Sequence, residues 1–145
     1  MNIQKTLLTL AACLLFGFAH AQLKHLKSAD DTKALTLKAV VYFKDAKIPE
    51  LINILKPYWP LPQEEMDGME EKTIDLLNLI EERYGKYQSY VKVKEETIIE
   101  TGIRETYLVK YEFHALRLEF TYYKNNSGWI LNGFSWDDKY AEEFK

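Results

Sequence analysis

The sequence predicts an α+β protein in which three helices pack on one face of a four-stranded antiparallel sheet. The spacing of apolar residues is close to 3.6 before Gly85 and becomes two after it, which indicates helices first and strands afterwards. Aromatic residues favour strands, and 14 of the 18 aromatic side chains beyond residue 21 lie from Tyr84 onward. Helices followed by a run of strands are typical of the α+β class.

The first helix is predicted over Ala29 to Lys44. Ser28 lies three residues before Asp31, a spacing at which the two residues can cap the first turn of a helix. Beyond this cap, apolar residues recur at helical spacing, at Ala34, Leu35, Leu37, Val41 and Tyr42.

A short second helix is predicted from Pro49, because proline is tolerated in the first turn of a helix. Pro57 is expected to end it. Three prolines between Pro57 and Pro62 predict an extended turn, since proline has no N–H group to donate to regular structure.

A longer third helix is predicted after this turn, and Gly85 suits the residue that follows its last turn. Acidic side chains occupy one side of this helix, which we expect to face solvent. The opposite, apolar side is predicted to pack on the sheet and consists of Met66, Met69, Thr73, Leu76, Leu77, Ile80 and Tyr84.

Four strands are predicted after Gly85, each with alternate residues that face the helices. Asn125-Asn126-Ser127-Gly128 is a hairpin signal that places the fourth strand from Trp129 to Trp136. The inward residues predicted for the first three strands are Tyr87, Ser89, Val91 and Val93, then Tyr107, Val109, Tyr111 and Phe113, then Leu116, Leu118, Phe120 and Tyr122.

Residues 1–21 have the features of a secretory signal peptide, and residues 22–145 are predicted to form a single domain. Lys5 precedes an apolar stretch too short to cross a bilayer, and Ala19-His20-Ala21 fits the pattern before a cleavage site. These features predict an exported protein, periplasmic or extracellular, that begins at Gln22.

One alternative for the leader changes the relation to the membrane. Leu10-Ala11-Ala12-Cys13 resembles the lipobox of bacterial lipoproteins, in which the cysteine becomes lipidated and N-terminal. The domain would then be anchored at Cys13. Otherwise we expect no membrane association.

The composition of residues 22–145 argues against several classes of function. This region carries all 22 acidic residues and 18 of the 19 basic ones, so it has no basic block suited to a nucleic acid. It contains no cysteine, which leaves no thiol for catalysis or for a disulfide. Its two histidines, His25 and His114, are not spaced as metal ligands, and we predict neither a metal nor a cofactor.

The order of elements resembles the cystatin-like and NTF2-like architecture, in particular small exported bacterial proteins of unknown function with that fold. The resemblance is carried by Ser127-Gly128-Trp129-Ile130-Leu131 and by Lys44-Asp45-Ala46-Lys47-Ile48 between the first two helices. It implies a pocket between helices and sheet, which in related enzymes holds an acid or a His/Asp pair. No such motif is matched here, and Gln88-Ser89-Tyr90-Val91-Lys92 lacks the Val and the Gly at the places that cystatin inhibitors require.

Six residues on or near the sheet are candidates for ligand binding, and none is assigned a catalytic role. Tyrosine and tryptophan combine an apolar body with a polar edge, histidine titrates near neutral pH, and arginine can hold a carboxylate through its planar guanidinium. The competing interpretations are core packing, a turn histidine and solvated cross-strand ion pairs. The six are Tyr107, Tyr111, His114, Arg117, Tyr122 and Trp129.

Three functions are compatible with these features. The first is a non-enzymatic exported domain that binds a small molecule or a protein, with pairing of two copies through the sheet as one form of assembly. The second is a small isomerase or hydrolase with a pocket at Tyr111, His114 and Arg117. The third is a secreted inhibitor or immunity-type protein that acts through the loop from Tyr58 to Pro62.

Overall fold

The computed structural model of the protein describes residues 22–144. The predicted signal peptide, with the alternative lipidation site Cys13, lies outside the described residues. The structure confirms the α+β class, because the helices pack on one face of a four-stranded antiparallel sheet. Within residues 22–144, no helix combines the length and the apolar character needed to cross a membrane.

Helix α1 (Ala29–Lys44) begins at the predicted cap. The Asp31 amide donates to Ser28 Oγ at 3.1 Å, and the Ser28 amide donates to Asp31 Oδ2 at 3.0 Å. These two bonds satisfy N–H groups that the first turn of a helix leaves without partners. Further along α1, Val40 and Phe43 are buried in the core beneath the sheet.

Helix α2 (Ile48–Leu55) follows a tight turn and carries Pro49 in its first turn, as predicted. It ends at Leu55, before Pro57. The chain then continues into one turn of 3-10 helix (Lys56–Tyr58) that contains this proline. Proline is compatible with the first turn of a helix, so the predicted extended segment begins only after Tyr58.

The predicted third helix is two helices, α3 (Gln63–Leu77) and α4 (Ile80–Tyr84). Between them the Leu79 amide donates to the carbonyl of Leu76 at 3.1 Å, a three-residue spacing that tightens the chain. The prediction of one continuous helix was wrong because apolar periodicity persists across this turn. Asn78, a weak helix former, was the local signal for the interruption.

The sheet is a meander of β1 (Tyr87–Ile98), β2 (Gly102–Tyr111), β3 (Ala115–Asn125) and β4 (Gly128–Asp137). We call the side that packs on the helices the inner face and the opposite side the outer face. On β3 the predicted alternation is confirmed, since Leu116, Leu118, Phe120 and Tyr122 are buried on the inner face. The residues between them, including Arg117, therefore lie on the outer face.

Beyond Tyr87, which pairs with Tyr111 on the inner face as predicted, the inner residues of β1 differ from the predicted ones. Val91 and Val93 are exposed, whereas Tyr90 and Lys92 face the helices. A register shift between Tyr87 and Ser89 reverses the alternation before these residues, and a second shift lies between Lys92 and Lys94. Because β1 is an edge strand, the phase of its apolar residues was an unreliable guide to its buried side.

Strand β2 ends earlier than predicted. The Tyr111 amide donates to the carbonyl of His114 at 2.9 Å, and Phe113 lies in the resulting turn with its side chain exposed. The Phe113 amide in turn donates to the carbonyl of Tyr84 at 2.9 Å. The β2–β3 turn is thereby fixed to the end of α4.

Both ends of the described chain pack on the sheet. Leu26 and Trp129 exchange backbone hydrogen bonds of 2.8 and 2.9 Å at the start of β4. Gly128 has φ of 131°, and a Cβ there would lie 2.6 Å from the Leu26 carbonyl oxygen, so this approach requires glycine. At the other end, a 3-10 helix (Tyr140–Phe144), which we call the C-terminal strap, lies on the outer face.

Candidate functional site

A cleft of about 500 Å³ opens between α3, α4 and the end of β4, and we call it the α3–β4 cleft. Its volume falls within the range of pockets that bind small molecules. Most of its wall is apolar and is supplied by Met69, Leu76, Leu79, Ile80, Phe134 and Trp136. Polar groups contribute at fewer positions, chiefly Lys72, Thr73, Tyr84, Asp137 and Asp138.

The cleft exists because α3 and α4 do not close over the sheet. Leu76 is 42% exposed and Leu79 is 58% exposed, although both belong to the apolar side of this helical segment or to its turn. Covering a leucine side chain fully stabilises a protein by about 2 kcal/mol relative to leaving it in water. A ligand that covers these two residues therefore gains part of that free energy.

Two hydrogen bonds tie the helices to β4 at the cleft. Trp136 Nε1 donates to Thr73 Oγ1 at 3.1 Å, and the Tyr84 hydroxyl donates to Asp138 Oδ2 at 2.8 Å. Burial and the hydrogen bond to Asp138 raise the pKa of Tyr84, so its hydroxyl remains a donor at neutral pH. Within each pair the two polar groups are bonded to each other, so these side chains hold fixed positions in the wall of the cleft.

The charged residues of the cleft differ in their partners. Asp137 pairs with Arg117 through contacts of 2.6 and 3.2 Å, and its Oδ1 also accepts the Lys139 amide at 2.9 Å. Burial alone would raise the pKa of Asp137, but Arg117 and the amide outweigh it and hold the pKa below its usual range. Lys72, by contrast, forms no ion pair with any residue of 22–144.

His114 lies next to the cleft without lining it. Its ring is 4.5 Å from that of Tyr84 and 5.1 Å from that of Tyr140, and its Nε2 is 2.8 Å from the backbone carbonyl oxygen of Asp138. At that distance the ring nitrogen is the donor. The histidine thus packs against the ring of Tyr84 and links the β2–β3 turn to the chain after β4.

Arg117 lies on the outer face, where its guanidinium is the centre of an acidic cluster. Its side chain is 11% exposed and contacts Asp137, Glu142 and Glu143 at 2.6 to 3.0 Å, with Glu119 farther away at 3.9 Å. Hydrogen bonds to Asp137 and Glu143 raise its pKa above the usual value. Its partners are carboxylates of its own chain, and Asp137 lies directly across from it on β4, which agrees with the competing interpretation of cross-strand ion pairs.

The remaining sequence-predicted candidates are distributed over the inner side of the molecule. Tyr107, Tyr122 and Trp129 are buried core residues, and the Tyr122 hydroxyl is 2.8 Å from Thr36 Oγ1 on α1. Tyr111 is partly buried and stacks edge-on with Tyr87 at 6.3 Å. Since Tyr111 lies on the inner face and Arg117 on the outer one, the structure does not bring these candidates together in one pocket.

The loop after α2 also differs from a freely presented binding loop. Trp59 is buried and packs edge-on against Phe134 at 6.5 Å. A second cleft, about 720 Å³ in volume, lies beside this loop and is bordered by Gln22, Leu23 and Pro60 among others. Trp59 therefore acts as a core residue that anchors the loop.

A buried carboxylate on the inner face was not anticipated from the sequence. Glu105 is fully buried, and its Oε1 lies 2.6 Å from Lys92 Nζ. The two opposite charges attract each other, and the buried position of Glu105 strengthens this attraction. Lys92 also contacts Glu95, which pairs with Lys33 of α1 at 3.0 Å. These four residues, the inner-face network, connect α1 with β1 and β2.

The cleft residues were present in the sequence prediction, but with another role. Met69, Thr73, Leu76, Ile80 and Tyr84 were assigned to the buried side of one long helix. Their apolar spacing gave no indication that the sheet would leave some of them uncovered. Asn78 was the available signal, because an interruption at that point divides the helix where the cleft opens.

Within residues 22–144, no three His, Asp or Glu side chains are grouped as they would be around a metal ion. The chain matches no family model, no curated protein and no solved structure at a significant level.

Proposed function

We propose that the protein is an exported binding domain that holds a small, largely apolar molecule in the α3–β4 cleft. The observation that carries this proposal is the open apolar wall formed by Leu76, Leu79 and Trp136 beside a few fixed polar groups. Pockets for small molecules commonly combine an apolar lining with a small number of oriented polar groups. Export is supported by the leader, which has the features of a cleavable signal peptide.

Binding is favoured over catalysis by the state of the titratable groups at the cleft. Tyr84 and Asp138 are hydrogen-bonded to each other, and Asp137 is occupied by Arg117. The ion pair with Arg117 lowers the pKa of Asp137 and makes it a weak base, and no histidine is among the described residues that line the cleft. The isomerase and hydrolase alternatives require a pocket with another arrangement of Tyr111, His114 and Arg117.

The test is binding of a neutral apolar fluorophore, N-phenylnaphthylamine, to the chain from Gln22 to Lys145. We expect the dye to bind with increased emission, and replacement of Leu76 with Trp to weaken binding about tenfold because the larger side chain fills the cleft. Leu37→Trp is the matched control. Leu37 is 44% exposed on α1, close to the value for Leu76, and does not line the cleft.

Equal binding of the dye to the Leu76→Trp and wild-type chains would overturn the proposal. Circular dichroism of both variants verifies that they fold. Export is tested separately by the mass of the protein secreted from a bacterial host, which should correspond to a chain that begins at Gln22. A product that starts at a lipidated Cys13 would instead establish the anchored form.

A further inference from the structure

The charges around the α3–β4 cleft indicate the class of its ligand. From the unequal pairing of these charges we infer that the cleft selects an amphipathic anion, with its acidic group at Lys72 and its apolar body against Leu76 and Trp136. This inference rests on the proposed binding function and specifies the chemistry of the ligand.

The two carboxylates of the cleft are already engaged by other residues of the protein. Asp137 and Asp138 line the cleft and would ordinarily attract a cation. Asp137 is neutralised by Arg117 from the outer face, at 2.6 Å, and Asp138 accepts the Tyr84 hydroxyl at 2.8 Å. Both carboxylates thus have partners supplied by the fold. An incoming ammonium group would have to compete with Arg117 at Asp137, and at Asp138 it would meet a carboxylate with one oxygen already bonded to Tyr84.

The cleft also has a lysine at its edge. Lys72 is exposed on α3 and lines the cleft, one turn before Leu76. Its sequence neighbours on the helix surface, Glu71 and Asp75, do not come within ion-pair distance. Of the charged groups that line the cleft, Lys72 is the one without a hydrogen-bond or ion-pair partner among the described residues. Hydrogen bonds between charged groups are stronger than those between neutral ones.

The net negative charge of the protein also affects which ligands approach the cleft. The net charge of the chain is −3, so anions are repelled at long range and only a local cation can favour them. Because Lys72 is exposed, its attraction is screened by salt. Apolar contacts with the wall must therefore supply most of the affinity, and the lysine supplies selectivity for the head group.

The experiment compares three probes of equal chain length, decanoate, decanol and decylamine, as competitors of N-phenylnaphthylamine at low ionic strength. We expect decanoate to displace the dye at a concentration about tenfold lower than decylamine does. Lys72→Gln should remove this difference and leave displacement by decanol unchanged. Lys110→Gln, which removes an exposed charge on the outer side of β2, should behave as the wild type.

Equal competition by decanoate and decylamine in the wild type, or a preference that survives Lys72→Gln, would overturn the inference while leaving the binding function intact. Failure of the dye to bind at the cleft would remove both. A preference for decylamine would reverse the assignment and identify Asp137 or Asp138 as the recognition group.

Discussion

The inner and outer faces of the sheet each bury a charged side chain, but they compensate it in different ways. On the inner face, Glu105 is fully buried and depends on a single contact with Lys92. On the outer face, Arg117 is 11% exposed and is surrounded by several carboxylates. One face therefore has a charge with one partner, and the other has a charge with partners in excess.

This difference indicates where the molecule is sensitive to substitution. A buried charge that loses its only partner is strongly destabilising, whereas exposed or shared ion pairs contribute little. The inner face also contains the apolar core, and the outer face contains groups that reach water. We therefore expect large effects on the inner side of a strand and small ones at neighbouring outer positions.

The largest expected effect comes from removing an inner-face aromatic side chain. Phe120 is fully buried and stacks with Phe134 at 4.9 Å between ring centres. Phe120→Ala should lower the free energy of unfolding by about 3–5 kcal/mol, because it leaves a cavity in the core. Thr121→Ala, one residue later on the outer face, should change it by less than about 0.5 kcal/mol. Urea denaturation measures both, and similar losses would contradict the assignment of faces.

A smaller effect is expected from the inner-face network. Lys92→Met should destabilise the protein by about 3 kcal/mol, since Glu105 then loses its compensating charge while the exposed part of Lys92 limits the loss. The double variant Lys92→Met/Glu105→Met should recover most of this free energy. Lys94→Met, which affects an outer-face pair with Glu143 at 3.0 Å, should cost about 1 kcal/mol or less.

A double-mutant cycle measured by urea denaturation gives the coupling between Lys92 and Glu105. If the two single losses simply add in the double variant, Glu105 does not depend on Lys92. Equal losses for Lys92→Met and Lys94→Met would remove the proposed distinction between the faces.

The smallest effect is expected at the C-terminal strap and depends on pH. Burial alone would raise the pKa of Glu143, but Lys94 and Arg117 hold it below its usual value. The pKa of Asp137 is lowered in a similar way, by Arg117 and the Lys139 amide. A carboxyl with a lowered pKa stabilises the fold above its ordinary pKa of about 4 and loses this contribution as pH falls through the folded value. Acidification should therefore release the strap before the core unfolds.

Amide signals of Ala141 and Glu142 in a nuclear magnetic resonance titration follow the strap, and those of Leu118 and Phe120 follow the core. In Arg117→Met the strap signals should already be shifted at neutral pH. Simultaneous loss of strap and core signals on acidification would show that the strap is not released separately.

Local sequence signals predicted the elements whose determinants are close together in the chain. The cap of α1 depends on Ser28 and Asp31, and the inner residues of β3 follow strict alternation. In β1 the same rule placed Val91 and Val93 on the wrong side, because the register shift between Tyr87 and Ser89 reverses the alternation and depends on pairing with β2. Periodicity also missed the turn between α3 and α4, since a short interruption preserves the apolar spacing.

The candidate site was less predictable than the fold for a related reason. The cleft is an uncovered region between α3 and β4, and the sequence does not specify how completely two distant elements cover each other. Arg117 shows the same limit. Its planar guanidinium suggested a carboxylate partner, but the carboxylates that it contacts, Asp137 and Glu143, are 20 and 26 positions away in the chain. Their proximity is decided by the hairpin and by the path of the C-terminal strap.

The register shift in β1 also bears on how the protein behaves at high concentration. An edge strand presents free backbone N–H and C=O groups to which a strand of another molecule can add. The bulge between Lys92 and Lys94 interrupts the regular spacing of those groups. In addition, Lys92 points inward to Glu105, and an inward-pointing charge on an edge strand opposes the addition of another strand. The same lysine that neutralises Glu105 thereby disfavours edge-to-edge polymerisation of the sheet.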